Sequence, residues 1–269
     1  MANNSSLSKR AALRQQQEMD ERSKRNKRVL FAGIGVVAVV VVVVLAIVIG
    51  QAIMKGRGIT EDQVTPPNAT SGYGILLGGK QPEESKPHLV LYEDYQCPAC
   101  KAFEESYGPV VEQLVDEGKL TAEIRTAYFL DGAANFGPSR MAAIAAAAAD
   151  EVGKYREYHD VVYANQPTEG VGYPNTQLRD DFAKQAGIEG DDLATFQKMF
   201  DERATADFTK AAGDKFNSEQ IGSTPTYLVS GVKLQFADES NNVLIMPTAE
   251  SFLEAATKAW EEGGKKIDG

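Results

Sequence analysis

The chain has 269 residues, 43% of them hydrophobic, enough for a sizeable core and too many for a chain disordered throughout. Its net charge of −10 is uneven: residues 1–28 carry eight Lys/Arg against three acids, and the part beyond Met54 carries 20 against 35. Phosphate binding needs clustered cations, so the acidic C-terminal part argues against a nucleic-acid partner.

Residues 1–28 are polar and basic and read as a tail. Residues 29–54 carry no charge and include a nearly unbroken valine run at 36–44. About 20 apolar residues cross the hydrocarbon core of a bilayer, so this stretch predicts a transmembrane helix. It is longer than the apolar part of a cleaved signal peptide and has no clean Ala-x-Ala, which favours an uncleaved signal anchor. Lys24, Arg25, Lys27 and Arg28 sit against its N-terminal end, with only Lys55 and Arg57 beyond it. The positive-inside rule then puts the tail in the cytoplasm and the rest outside. A single-pass protein of the cell membrane is expected, with its main domain where disulfide chemistry can occur.

Residues 55–70 read as a linker, with Gly56, Gly58 and the Pro66-Pro67 pair and no apolar period. The domain proper is expected over 71–269. A short strand is predicted at 73–77 and a second at 88–95, around Leu89, Val90, Leu91 and Tyr92. Cys97-Pro98-Ala99-Cys100 follows, at the start of a helical pattern that runs to Gly118 with Pro109 inside it. Pro98 suits a first turn, where a missing N–H costs nothing. Residues 120–130 alternate as a strand. Helices are predicted at 139–151, 155–164, 175–186, 191–199 and 205–216. Strands return at 226–229 and 232–236, and 248–261 closes the chain as an amphipathic helix with Thr248 as its N-cap.

Cys97 and Cys100 are the only cysteines. A Cys-x-x-Cys leading from a strand onto a helix points to thiol–disulfide exchange. The thiolate is the attacking species, and a helix N-terminus favours it through unpaired N–H groups and the positive dipole end. Cys97 is therefore expected to be accessible, with a lowered pKa. Cys100, one turn further in, is expected to be more buried and to resolve mixed disulfides. A structural disulfide over so short a loop would constrain little. A zinc site would need about four ligands, and only His88 and His159 could supplement the pair, without finger-like spacing. His159 and the tyrosines 155, 158 and 163 read as packing, or as one side of a peptide groove.

Two stretches carry a family resemblance: LYEDYQCPACKAFEE at the cysteines, and IGSTPTYLVSGVKL about 125 residues later, on the far side of a helical block. Together they resemble the DsbA-like family of extracytoplasmic thiol–disulfide oxidoreductases, and more closely its membrane-anchored Gram-positive and actinobacterial forms. The resemblance implies an α/β thioredoxin fold with a helical insertion at about 137–220. It implies Cys97 and Cys100 as the catalytic pair, with Pro98, Ala99, Glu93 and Asp94 supporting it. Thr224-Pro225 would be a cis bond facing the cysteines and offering backbone groups to an extended substrate. The substrates would be exported, unfolded proteins bearing cysteines, and a DsbB-like or vitamin K epoxide reductase-like membrane partner would reoxidise the site. No cofactor or metal is implied.

Two departures matter. The position of the family's buried acid, six before the first cysteine, holds Leu91. Glu93 and Asp94 are near, and strand alternation is expected to turn only one of them toward the core. The dipeptide Pro98-Ala99 lacks the histidine of the strong oxidants, which implies a less oxidising site. A disulfide reductase or isomerase of the same fold, or a non-catalytic thioredoxin-like binding domain, would fit much of the same sequence.

Overall fold

Leu89, Val90, Leu91 and Tyr92 are apolar on both sides of a strand, and such a strand belongs in the middle of a sheet covered on both faces. They lie in β2 (His88–Asp94), all seven residues of which are buried. The computed structural model describes residues 59–267, so the stretches read from sequence as a tail, a transmembrane helix and the start of a linker lie outside the described residues. Among the described residues no helix is long and apolar enough to cross a membrane.

β1 (Ile75–Leu76) is the short first strand. After β2 comes α1 (Pro98–Asp116), with Pro98 in its first turn and Pro109 within it. β3 (Thr121–Ala127) follows and pairs parallel to β2, with Leu89 opposite Ala122 and Leu91 opposite Ile124. The chain then builds five helices before returning to the sheet: α2 (Pro138–Glu151), α3 (Tyr155–Ala164), α4 (Phe182–Gln185), α5 (Gly190–Asp201) and α6 (Ala206–Ser218). They stand where the helical insertion is expected. β4 (Thr226–Val229) pairs antiparallel to β2, β5 (Val232–Lys233) pairs antiparallel to β4, and α7 (Ala249–Glu262) closes the domain. The sheet order is β1-β3-β2-β4-β5.

On one face of β2, Leu89 and Leu91 join the large core, which includes Val111, Leu114, Tyr227 and Phe252 from α1, β4 and α7. On the other face, Val90 and Tyr92 meet Ala127 and Phe216. α2 is the hub of the helical block. Its alanine run is buried on every side, and small side chains let α3, α5, α6 and β3 all approach it.

Three expectations change. Residues 60–70, read as part of a linker, are hydrogen-bonded to the domain: Thr60 N–H donates to the Glu202 carbonyl (2.9 Å), Val64 N–H to Ala204 (2.7 Å), and Asn68 to the Asp150 carboxylate through backbone and side chain (2.8 Å each). The helix expected at 175–186 opens into a wide π-type turn at Gln177–Asp181 before α4. The strand expected at 232–236 ends at Lys233. The chain leaves the sheet edge so that Phe236 can pack within 5 Å of the rings of Phe103, Tyr107 and Tyr227.

Candidate active site

β2 ends at Asp94, and α1 begins four residues later, at Pro98. Cys97 is the N-cap of α1, with extended backbone, and Lys101 N–H donates to its carbonyl at 3.2 Å. The connecting loop is held from several sides. Cys97 N–H donates to the Asp94 carbonyl (2.8 Å), and Gln166 Nε2 donates to the carbonyls of Tyr95 (2.9 Å) and Cys97 (3.0 Å). The Tyr173 hydroxyl donates to Tyr95 O at 2.8 Å. The backbone that presents Cys97 is thus fixed by side chains of the helical insertion.

The two thiols are unbonded and differ sharply. A hydrogen bond from the Cys100 thiol pulls Cys97 down to about 5. Burial opposes this, while the Thr224 hydroxyl and the N–H groups of Cys100 and Ala99 add to the lowering. These amides are the unpaired donors of a helix start. Cys100 is fully buried, and burial pushes its thiol far up. Its bond to Cys97 and the charge of Glu93 act in the same direction. Cys97 is only 8% exposed, less than expected. Thr224 covers it: Cys97 Sγ donates to the Thr224 carbonyl at 3.5 Å, and the following Thr224–Pro225 bond is cis. The Thr224 hydroxyl has no partner of its own among the described residues, which leaves it available to a thiolate. Pro98 and Ala99 are exposed beside this edge.

Both acids before the cysteines are buried, so the expectation that only one would face a core is corrected. The sheet is covered on both faces, and alternation sends the two acids to different cores. Glu93 lies on the face of Leu91. Burial, then the charge of Glu104, pushes its carboxyl well above the usual range, and Cys97 adds to this. Asp94 lies on the opposite face and binds the start of α2. Ser139 Oγ donates to it at 2.5 Å, Gln96 N–H at 2.9 Å and Leu130 N–H at 3.2 Å. Burial nonetheless pushes it up to about 6.

A family model described as Thioredoxin matches residues 71–244. The chain belongs to the thioredoxin family. No curated protein sequence matches it. Among solved structures, the chain is similar to the MdbA protein of Corynebacterium diphtheriae, a thiol-disulfide oxidoreductase. The TM-score is 0.56 at 18% identity, over 73% of this chain and 96% of that one. It is similar to MdbA of Actinomyces oris (TM-score 0.55, 19% identity, 72% and 92% covered). It is also similar to oxidised BdbD of Bacillus subtilis (TM-score 0.54, 21% identity, 75% and 100% covered). At these identities the likeness is one of fold.

Cys97, Cys100, Thr224 and Pro225 therefore meet in this thioredoxin-family domain, with Glu93 on the side of the pair and Asp94 on the far face. Gln166, Tyr173 and Ser139 were not foreseen. They hold the loop from a helical block whose placement the sequence pattern does not encode. Glu104 was also missed, although a signal existed: it is four residues after Cys100, hence one turn along the same face of α1.

Proposed function

We propose that the chain is an extracytoplasmic thiol–disulfide oxidoreductase that forms disulfides in exported proteins. The observation that carries this reading is the inequality of the two thiols: Cys97 lowered to about 5 at the edge of the surface, Cys100 raised and buried. In the oxidised enzyme a substrate thiolate attacks Cys97 Sγ. The Cys97–Cys100 bond breaks, and Cys100 leaves with the electron pair and takes up a proton. A second substrate thiolate then attacks the substrate sulfur of the mixed disulfide and expels Cys97 as its stable thiolate. The substrate loses two electrons and gains a disulfide, and the enzyme ends as the dithiol.

A stabilised Cys97 thiolate stabilises the reduced enzyme, and so makes its disulfide an oxidant. The backbone of Thr224 and Pro225 offers a strand-like edge to substrate chains, which binds many sequences with little selectivity. Glu93 supports the site as the acid on the side of Cys100. Residues 29–54 serve as the anchor, and a DsbB-like or vitamin K epoxide reductase-like membrane protein removes the electrons.

The test is equilibration of the chain with glutathione mixtures, followed by transfer to a reduced, unfolded protein. A potential between about −270 mV, typical of thioredoxin, and about −120 mV, typical of DsbA, is expected. A value at or below thioredoxin's overturns the oxidising direction. Transfer that survives Cys97→Ala overturns catalysis at this site.

A further inference from the structure

The thiol chemistry uses neither Glu104 nor His159, yet both converge on Glu93 beneath the cysteine pair. His159 Nε2 lies 3.5 Å from Glu93 Oε2 and 3.6 Å from Glu104 Oε2. One ligand-type atom from each of the three residues lies within 4.8 Å of the others. Glu93 is 1% exposed and His159 2%. Both carboxylate oxygens of Glu93 and Nε2 of His159 have no hydrogen-bond partner among the described residues. Burying such atoms without a partner costs free energy. Something that binds all three would remove that cost.

The arrangement has the features of a metal site. The Tyr95 hydroxyl is 3.0 Å from His159 Nδ1. With the ring proton on Nδ1 donating to Tyr95, the Nε2 lone pair faces the two carboxylates; in metal-binding histidines the ring nitrogen away from the ion makes such a bond and fixes the tautomer and the ring's orientation. Ligands about 2.0–2.2 Å from a tetrahedral ion stand about 3.4 Å from one another, close to the two distances seen here. A Cβ at Gly108 would stand 2.7 Å from Glu104 Oε2, so the glycine leaves room for that carboxylate. There is also a way in. Glu104 lines a groove of about 360 Å³ between α1 and α3, together with Glu105, Glu112 and Asp160. Those acids would draw a cation toward the cluster.

We infer that Glu93, Glu104 and His159 bind a divalent transition-metal ion of the zinc class, with its open position toward the groove. One imidazole with two carboxylates suits zinc or a similar ion better than calcium or magnesium, which take all-oxygen sets. This site shares Glu93 with the surroundings of the cysteine pair, but its existence does not depend on the direction of the thiol reaction.

The test uses the full chain in detergent with Cys97 and Cys100 oxidised, so that thiols cannot ligate. After chelation and desalting it is titrated with Zn²⁺ by calorimetry, and with Co²⁺ by visible absorption. One equivalent of each is expected to bind. Glu104→Gln and His159→Gln should each lower the affinity at least tenfold and remove the cobalt bands. Glu104 is partly exposed, so its variant should fold and decides the matter if the histidine variant does not. No binding by the parent chain means the cluster holds only protons, and overturns the proposal. Affinity unchanged in Glu104→Gln also overturns it, because the ion then sits elsewhere.

Discussion

Cys97 titrates near 5 in the fold and near 8.5 in an unfolded chain, and this difference has two measurable consequences. The first is reactivity. Alkylation of the reduced protein should reach half its maximal rate near pH 5. A half-point near pH 8.5 would remove the basis of the proposed chemistry. The second is stability. The lowered pKa means the fold favours the thiolate. The stabilisation is therefore full above about pH 8.5 and is lost as pH falls through about 5. The urea midpoint of the reduced chain should fall over that window by an amount that Cys97→Ala does not show. Other groups titrate there too, and the difference between the two proteins isolates this one. The cysteine pair was legible in the sequence because spacing alone defines it. Glu93 and Asp94 were only half legible. Alternation correctly puts them on opposite faces, but it does not say that helices bury both.

At the scale of elements, most helices and strands followed from periodicity. Those that did not were decided by tertiary packing: Phe236 pulled the chain off the sheet edge, and hydrogen bonds laid residues 60–70 on the domain. The link between β2 and α2 was invisible for the same reason, since 45 residues separate Asp94 from Ser139. That link ties the loop before Cys97 to the helical block. Asp131 completes it, accepting from the N–H groups of Ser139 and Arg140 at 2.9 Å each and from Gln96 Nε2 at 2.9 Å. Ser139→Ala should cost about 1–3 kcal/mol in denaturant unfolding, because it removes a buried donor to a carboxylate that has few others. It should also raise Asp94 above its present value of about 6, since Ser139 is the largest influence holding that value down. A variant as stable as the parent would show that the loop does not depend on this tie.

At the scale of the whole molecule, the proposed function needs Cys97 to face the exterior, and the charges that would arrange this lie far from it in sequence. Lys24, Arg25, Lys27 and Arg28 precede the uncharged run at 29–54, and only Lys55 and Arg57 follow it. The chain reports its own orientation, because it has no cysteine besides Cys97 and Cys100. Cys100 is fully buried with a raised pKa, so after mild reduction a membrane-impermeant alkylating reagent should label Cys97 alone. In intact cells expressing the full chain, labelling should match that of lysed cells, and Cys97→Ala should abolish it. Replacing the four basic residues with glutamine should reduce labelling in intact cells while leaving it unchanged after lysis, as expected when the charge bias that sets orientation is removed. Labelling of the parent only after lysis would put the thiol in the cytoplasm. An oxidant of exported proteins could not work there, whatever its potential.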